Sequence, residues 1–470
     1  MSQSSKNEPP LSLEERLFAL RAEGLKPGLA PTRGVLDALG APDGAMSIVQ
    51  VAGSIGKGST SAMTASVLRA AGVRTALFTS PHLVRFGERF IVDGREASSE
   101  EIETAFQRAW AAAPWAYRSS AESALPERRP LSFFEWATVI GCLLFAQEGA
   151  EAAVLEVGLG GRWDATTACK ADVTVISRLD LEHTQLLGES LEEIAAEKAG
   201  VMRPGVPAVT VRQDDGALAV LRERAAAVGA PLTVIGLDAF VREQPGGQVF
   251  DYESPTLEVV GVRPALLGRH QIENAALAIA ATDALAAGLP GLRERLPDAV
   301  REGMAACTFA GRLEEVRPGL WLDGAHTAAS MRALAYEIEQ RMPGGKAHLV
   351  FAALADKKAG VLLDILRGVA ASVSLTSAGG DRACDPGDLA QCVAGWGVPC
   401  RTEPDPAAAV QAALETAGDV PVVVCGSLYL VGAVKAALRG AVPDPGDPVH
   451  TAATTQEPTG HPARPKALKR

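Results

Sequence analysis

Aromatic residues are scarce in this sequence of 470 residues: they make up 5% of it, against 47% for hydrophobic residues as a whole. The apolar content is therefore mostly aliphatic, and it is accompanied by 47 glycines. Such a composition is typical of strands buried on both faces, with helices of small residues packed over them. Because domains average about 150 residues, we expect an α/β protein of two or three domains.

The sequence also lacks basic blocks, long apolar runs and paired cysteines. Its formal net charge is −11, and no cluster of Lys and Arg offers a surface for nucleic-acid phosphates. The N-terminal stretch has no apolar signal-peptide core, and no apolar run reaches membrane-spanning length. The seven cysteines show no CxxC spacing, which favours reduced thiols over disulfides or zinc. We therefore expect a cytoplasmic protein that binds neither nucleic acid nor a membrane.

Buried-strand patterns alternate with helical patterns along the first part of the chain. Residues 46–53 form a short apolar run that ends in Gly, and residues 57–72 have the pattern of a helix. Further strand and helix patterns follow, so we predict a doubly wound, mostly parallel sheet. A polar, β-like insert around 240–260 precedes a long Ala-rich helix, which we place at 261–289.

A second α/β series begins near residue 306 and predicts a second, smaller, Rossmann-like domain. Its strand candidates lie in the stretches GLWLDGAH, KAHLVFAAL, ASVSLTS and VPVVVCGS. We therefore expect one domain over residues 1–305 and another over 306–440. Residues 441–470 are rich in Pro and Thr and show no apolar period, so we expect a disordered tail.

The stretch GSIGKGST, residues 53–60, is similar to a Walker phosphate-binding loop with altered spacing. A loop between a buried strand and a helix N-terminus directs backbone N–H groups and the helix dipole at one point. Glycines let the backbone approach phosphate oxygens, a lysine neutralises charge, and a hydroxyl can reach Mg²⁺. We predict phosphate binding over a plain Gly-rich turn, and the residues concerned are Gly53, Gly56, Lys57, Gly58, Ser59 and Thr60.

The variant spacing G-x-x-G-K-G-[ST] and several other stretches resemble the Mur ligases, and within them folylpolyglutamate synthase and dihydrofolate synthase. The stretches are TSPHLVRFGERFIVDG (79–94), SFFEWAT (132–138), LEVGLGGRWDATT (155–167), LEHTQLLGESLEEIAAEKAGVM (181–202), GRHQIENAALA (268–278), AGRLEEV (310–316) and LDGAHTAAS (322–330). The resemblance covers residues 11–439 and implies an ATP-dependent amide ligase, mostly monomeric. In that family a carboxylate attacks the γ-phosphate of ATP, and the amine of L-glutamate then displaces phosphate from the acyl phosphate. The implied acceptor is dihydropteroate and/or tetrahydrofolate, and the implied cofactors are ATP and Mg²⁺.

Four side chains form a candidate Mg²⁺ site. Glu156 stands at the carboxyl end of a buried strand, where open α/β sheets bind ligands, and His183 follows the next strand. With the hydroxyls of Ser59 and Ser80 they make a hard-ligand set with one imidazole. The resemblance implies the same use of these positions. Otherwise Glu156 would cap a helix and His183 would be a surface residue of a loop.

The resemblance also implies catalytic and nucleotide-binding roles. Lys198 lies near a helix end, where the dipole alone favours a lysine, but the matching lysine of the family is often carbamylated and helps to hold a second Mg²⁺. Lys57, Lys198 and His183 are the catalytic candidates. Asn274 shares a helix face with His270. The resemblance implies that Asn274 contacts the adenine and that Arg312 contacts the phosphates. It also implies that Asp323 binds the ribose and that His326 lies near the base. Closure of the two domains would exclude water from the acyl phosphate.

Two stretches resemble the segments that line the pterin pocket of the folate enzymes. They comprise Ser132, Phe133, Phe134, Glu135, Trp163, Asp164 and Ala165. Phe133 and Phe134 could equally belong to the core. Residues 356–358, DKK, resemble a feature near the second substrate, although a solvated charge cluster explains them almost as well.

Several positions depart from the family pattern. Ile55, Thr167 and Thr327 stand where the folate enzymes usually have Asn, and Asp180 and Glu182 replace the Gly and Asp of G-x-D-H. Ile55 is the largest change, because its side chain can donate no hydrogen bond to a phosphate. Two alternatives therefore stay open: an amide ligase for a carboxylate other than folate, and a nucleotide-binding paralogue without catalysis.

Overall fold

The computed structural model describes residues 13, 16–17, 28–114, 129–380 and 382–440. The segment 441–470, for which we expect disorder, lies outside these residues. Within them the chain forms two large sheets and one small sheet.

An eight-stranded sheet forms the centre of the first part of the chain. Its strands are β1 (Ser47–Ala52), β2 (Thr75–Phe78), β3 (Phe90–Val92), β4 (Arg95–Glu96), β5 (Ala152–Glu156), β6 (Val173–Ile176), β7 (Ala208–Val211) and β8 (Leu232–Ile235). They lie in the order β4-β3-β2-β5-β1-β6-β7-β8. Neighbours are parallel except at the β2–β3 and β3–β4 pairs. Because β5 and β6 flank β1 and run parallel to it, the carboxyl ends of these three strands lie side by side.

Helices cover both faces of this sheet. They are α1 (Ala30–Ala38), α2 (Lys57–Ala70), α3 (Ser99–Ala112), α4 (Phe133–Gln147), α5 (Thr184–Leu187), α6 (Leu191–Lys198), α7 (Asp215–Val228), α8 (His270–Leu285) and α9 (Leu292–Ala306). Val49 and Val51 of β1 pack with α2, α8 and α9, whereas Ile48 packs with α1, α3 and α4. This alternation is the period of a strand that is buried on both faces.

The helix that we place at 261–289 is shorter than the sequence pattern predicts. Residues Glu258–Val262 form the last strand of an antiparallel sheet with β9 (Phe240–Glu243) and β10 (Phe250–Glu253), so this strand is β11. The helix begins only at His270, because Pro264 cannot continue a helical ladder and Gly268 has a φ of 117°.

A six-stranded sheet forms the second part. Its strands are β12 (Glu314–Arg317), β13 (Leu320–Leu322), β14 (Ala347–Phe351), β15 (Ala370–Leu375), β16 (Cys400–Thr402) and β17 (Val422–Cys425), in the order β12-β13-β17-β14-β15-β16. Only the β12–β13 pair is antiparallel. Its helices are α10 (Ala328–Arg341), α11 (Ala359–Leu366), α12 (Pro386–Val393), α13 (Pro406–Ala417) and α14 (Leu428–Arg439). We name the parts built on the eight- and six-stranded sheets the first and second lobes.

The predicted fold class, a doubly wound sheet followed by a smaller α/β unit, is confirmed. In the described part of the chain, no helix combines the length and the hydropathy that a membrane span requires.

Candidate active site

A cavity of about 780 Å³ lies where the carboxyl ends of β1, β5 and β6 face the second lobe. Most of the predicted site residues line it: Gly56, Lys57, Gly58, Ser59, Ser80, Ser132, Phe133, Phe134, Glu135, Glu156, Trp163, Asp164, Ala165, His183, Asn274, Arg312, Asp323 and His326. Three others, Gly53, Thr60 and Lys198, lie behind the wall and contact residues that form it. One cavity thus joins residues that are far apart in the chain.

The phosphate-binding loop connects β1 to α2 through a tight turn that requires glycine. Gly56 has a φ of 88°, and a Cβ atom there would lie 2.2 Å from Asn274 Oδ1. The Nζ atom of Lys57 donates to the carbonyl oxygens of Gly53 at 3.0 Å and Ser54 at 3.1 Å. The loop therefore presents the first N–H groups of α2 and one ammonium group to the cavity.

Glu156 is a buried carboxylate at the end of β5, with 4% of its surface exposed. The backbone N–H of Ser80 donates to its Oε2 atom at 3.0 Å. Burial raises the pKa of Glu156, and the charge of Lys57, the Ser80 hydrogen bond and the charge of Arg312 oppose that rise. A cation next to this carboxylate would stabilise its charged form.

His183 adopts the left-handed backbone conformation, with a φ of 47° and a ψ of 38°. This conformation is uncommon for a residue other than glycine, and strained backbone of this kind clusters at functional sites. It places His183 at the N-terminus of α5, on the cavity wall.

The side chains that face the cavity fit a magnesium ion bound together with a nucleotide. In the described residues, no three His, Cys, Asp or Glu side chains stand close enough to hold a metal without other ligands. Ser59, Ser80, Glu156 and His183 nevertheless all line the cavity. Mg²⁺ usually binds one or two protein carboxylates and completes its shell with phosphate oxygens and water. One buried carboxylate with two hydroxyls nearby agrees with that preference.

Lys198 and Glu182 form a buried ion pair directly behind the phosphate-binding loop. Lys198 Nζ lies 2.9 Å from Glu182 Oε1, and the two side chains are 1% and 12% exposed. The same Nζ atom donates to Gly53 O at 2.7 Å, the oxygen that Lys57 also contacts. Burial lowers the pKa of Lys198 to about 8, although Glu182 opposes the shift. Burial alone would raise the pKa of Glu182, but the charges of Lys57 and Lys198 outweigh it and lower that pKa to about 2.

The second lobe and α8 contribute the opposite wall of the cavity. Asp323 follows β13, and its carboxylate accepts from the N–H groups of Leu313 and Ala325, both at 2.8 Å. Burial raises the pKa of Asp323, and Arg312 opposes that rise. His326 Nδ1 lies 2.7 Å from Gly324 O, and because a carbonyl only accepts, Nδ1 carries the proton.

Phe133, Phe134 and Glu135 lie at the N-terminus of α4, where Ser132 forms a capping box with Glu135. Both phenylalanines line the cavity, but they are only 2% and 6% exposed and therefore also serve the core. Arg129, which the sequence analysis missed, donates to both carboxylate oxygens of Glu135 at 2.7 and 2.8 Å. The sequence signal for Arg129 was its position, as a basic residue three positions before Ser132, where the capping box begins.

Trp163, Asp164 and Ala165 belong to a loop that Asp164 organises. Its carboxylate accepts from the N–H groups of Gly158, Leu159 and Thr166, and burial raises the pKa of Asp164 to about 6. Trp163 in contrast is 53% exposed at the rim of the cavity.

Three residues that depart from the family pattern, Ile55, Thr167 and Thr327, form hydrogen bonds with neighbouring residues. Thr167 Oγ1 donates to Gly161 O and accepts from Gln50 Nε2, both at 2.7 Å. Thr327 caps α10, since its hydroxyl accepts from the N–H of Ser330. The backbone of Ile55 donates to Arg178 O at 3.0 Å. Hydroxyls and backbone groups therefore make the local hydrogen bonds at these three positions.

Comparison with known proteins agrees with this geometry. The family model "Mur ligase middle domain" matches residues 127–282, and "Mur ligase, glutamate ligase domain" matches 311–428. Dihydrofolate synthase/folylpolyglutamate synthase of Bacillus subtilis (strain 168) is 31% identical over 424 residues, which span 88% of this chain and 96% of the relative. The chain belongs to the dihydrofolate synthase/folylpolyglutamate synthase family of Mur ligases. It spans about half the length of some other relatives.

Solved structures of this family share the fold of this ligase. E. coli FolC in complex with DHPP and ADP is 27% identical with a TM-score of 0.80, covering 91% of this chain and 97% of that chain. The bifunctional enzyme of Yersinia pestis with AMPPNP and Mn is 30% identical with a TM-score of 0.78, covering 90% and 96%. The predictions of an ATP-dependent ligase and of ATP with a divalent metal ion are confirmed.

Proposed function

We propose that this ligase joins L-glutamate to dihydropteroate and/or tetrahydrofolate, using ATP and Mg²⁺. The observation that carries the proposal is the single cavity in which the phosphate-binding loop, Glu156 and the N-terminus of α4 meet. A carboxylate acceptor and a triphosphate can therefore lie side by side there. The similarity to enzymes with these two activities supports the choice of substrates.

The first step brings two anions together. The acceptor carboxylate attacks the γ-phosphorus of ATP, and ADP leaves. In the proposed site, the N–H groups at the start of α2 and the Lys57 ammonium bind the phosphates, and Arg312 approaches from the second lobe. Ser59, Ser80, Glu156 and His183 would hold the Mg²⁺ ion, which supplies positive charge to the phosphate oxygens when bound. These cations reduce the repulsion that would otherwise block the attack.

The second step forms the amide. The amine of glutamate attacks the acyl carbon, and inorganic phosphate leaves with the electron pair of the broken C–O bond. We assign Asn274, Asp323 and His326 to the nucleoside, which bridges the lobes and closes the cavity to water. Lys198 remains a catalytic candidate, because its Nζ atom supports Gly53 of the phosphate-binding loop.

The acceptor lies against the other end of the cavity in this proposal. We assign this end to seven residues that line the cavity: Ser132, Phe133, Phe134, Glu135, Trp163, Asp164 and Ala165. Apolar rings beside a carboxylate fixed by Arg129 suit a flat heterocycle with polar edges, such as a pterin.

A cationic cluster in the second lobe supports the choice of an acidic amino acid. Asp356 follows β14 and lies 3.2 Å from Lys357 Nζ and 4.0 Å from an Nη atom of Arg382. These residues do not line the cavity itself, but two cations beside one carboxylate can attract an acidic substrate towards this edge of the sheet.

The direct test is a turnover assay with ATP, Mg²⁺, L-glutamate and each acceptor in turn. We expect release of ADP that depends on the acceptor, and a product heavier by one glutamyl group. Lys57→Ala should abolish this turnover, whereas Lys170→Ala, an exposed lysine outside the cavity, should not. Turnover with neither folate acceptor, or an active Lys57→Ala variant, would contradict the proposal.

We also propose that the enzyme is a cytoplasmic monomer with domains over residues 1–305 and 306–440. All seven cysteines are free thiols, which suits a reducing compartment. Light scattering on the purified chain tests the monomer, since a mass of 48.8 kDa is expected.

A further inference from the structure

We propose that Phe309 is a positioning residue that holds Arg312 over the phosphate-binding loop. This inference rests on the proposed contact between Arg312 and the nucleotide phosphates. Phe309 itself does not line the cavity, and its ring lies behind the loop.

One side of the Phe309 ring packs on the backbone of the phosphate-binding loop. A Cβ atom built on Gly58 would lie 2.7 Å from Cε1 and 2.8 Å from Cζ of this ring. Gly58 lies between Lys57 and Ser59, and the ring occupies the space that a side chain at Gly58 would need. The position of the ring is therefore set by the first turn of α2.

The ring also contacts the guanidinium group of Arg312. The Cζ atom of Arg312 lies 5.3 Å from the ring centroid, within the range of a cation–π interaction. Arg312 Nη1 donates to Gly311 O at 3.0 Å, and a Cβ atom on Gly324 would lie 2.8 Å from Nη1. A ring, a carbonyl and a glycine thus define where the guanidinium group lies.

These contacts hold the cation without a direct ion pair. In the described ranges, no carboxylate forms an ion pair with Arg312, although its charge acts on the buried carboxylates of Asp323 and Glu156. A carboxylate partner would compete with a phosphate for the guanidinium donors, whereas an aromatic face leaves their in-plane directions open. The arrangement therefore orients Arg312 and keeps it available for an anion.

The same contacts connect the two lobes. Phe309 and Arg312 flank Gly311, which has a φ of 69°, and Leu313 follows with a φ of 45°. The chain turns here between α9 and β12. Phe309 packs on the first lobe, and Arg312 precedes the second sheet. Because the ring contacts both the phosphate-binding loop and the guanidinium group, it fixes the position of Arg312 relative to that loop.

The test compares Phe309→Leu with Phe309→Tyr in the full-length enzyme. Leucine retains an apolar side chain of similar size but has no π face, whereas tyrosine restores it. We expect Phe309→Leu to lower kcat/KM for ATP about tenfold, with KM for glutamate unchanged, and Phe309→Tyr to restore most of it. Phe240→Leu, at a ring that is 54% exposed on β9, is the matched control and should behave as wild type.

A double-mutant cycle with Arg312→Ala separates positioning from general packing. If Phe309 acts through Arg312, then Phe309→Leu has no further effect in the Arg312→Ala background. Additive effects, or a Phe309→Tyr variant as impaired as Phe309→Leu, would overturn the proposal. Calorimetric binding of a non-hydrolysable ATP analogue to the same variants needs no acceptor. A tenfold loss of affinity for the analogue supports the role of Phe309, even if neither folate acceptor reacts. Unchanged affinity in both Phe309→Leu and Arg312→Ala refutes that role, even if the folate acceptors do react.

Discussion

Glu182→Gln is the substitution for which the structure gives the clearest energetic expectation. Glu182 is the partner of the buried Lys198 ammonium, and its pKa falls from 4.5 to about 2 in the folded chain. Since one pKa unit corresponds to about 1.4 kcal/mol, this charge contributes about 3 kcal/mol to folding at neutral pH. The variant also lets the pKa of Lys198 fall below about 8, because burial then acts without its main opposing carboxylate.

The pH dependence of the same effect gives an independent check. A lowered carboxyl pKa contributes stability that is complete above pH 4.5 and disappears as the pH falls towards 2. Urea unfolding should therefore show a deficit of about 3 kcal/mol for Glu182→Gln near pH 5, narrowing to about half by pH 3. The deficit should also shrink as the pH rises through the lowered pKa of Lys198 in the variant, because the buried amine then loses its charge. Glu189→Gln, an exposed glutamate nearby, should match wild type throughout. An equal unfolding midpoint for wild type and Glu182→Gln at pH 5 would refute the reasoning.

Other substitutions test the loop, a helix cap and the metal site. Gly56→Ala should weaken the binding of an ATP analogue, measured by calorimetry, about tenfold or more. The reason is that the new Cβ atom would clash with Asn274 and that residue 56 has a positive φ. Gly288→Ala is the control and should bind the analogue normally. Thr327→Ala should lose about 1 kcal/mol in urea unfolding through the missing α10 cap, and Thr327→Asn should keep it; equal losses would argue against capping. His183→Ala should lower kcat at least about a hundredfold with an unchanged circular dichroism spectrum, and a near-normal rate would remove this residue from the metal site.

Local patterns were sufficient to predict the strand, loop and helix around the phosphates. Residues 46–53 and 57–72 contain β1 and α2 with ends that differ by only a few residues, since glycines and apolar periodicity act over short distances. The helix over 261–289 was too long, because alanines outweighed Pro264 and Gly268 in the pattern.

Features that depend on contacts between distant segments were not predictable in this way. The insertion of β5 between β2 and β1 is decided by packing, and no local pattern encodes it. In the sequence, Phe309 cannot be distinguished from an ordinary core aromatic residue. Only the fold shows that its ring packs against Gly58. The ion pair of Lys198 with Glu182 likewise requires the loop after β6 to fold back over α6.

In the proposed arrangement, the acceptor and the nucleotide contact separate segments of the chain. All of these segments line the cavity. The acceptor would lie against the N-terminus of α4 and the loop organised by Asp164, and the nucleotide against α8, Arg312 and the residues after β13. Selection can therefore remodel which carboxylic acid is recognised without disturbing the machinery that activates it. A library restricted to residues 131–135 and 158–165 is the natural place to look for altered acceptor preference with ATP use intact.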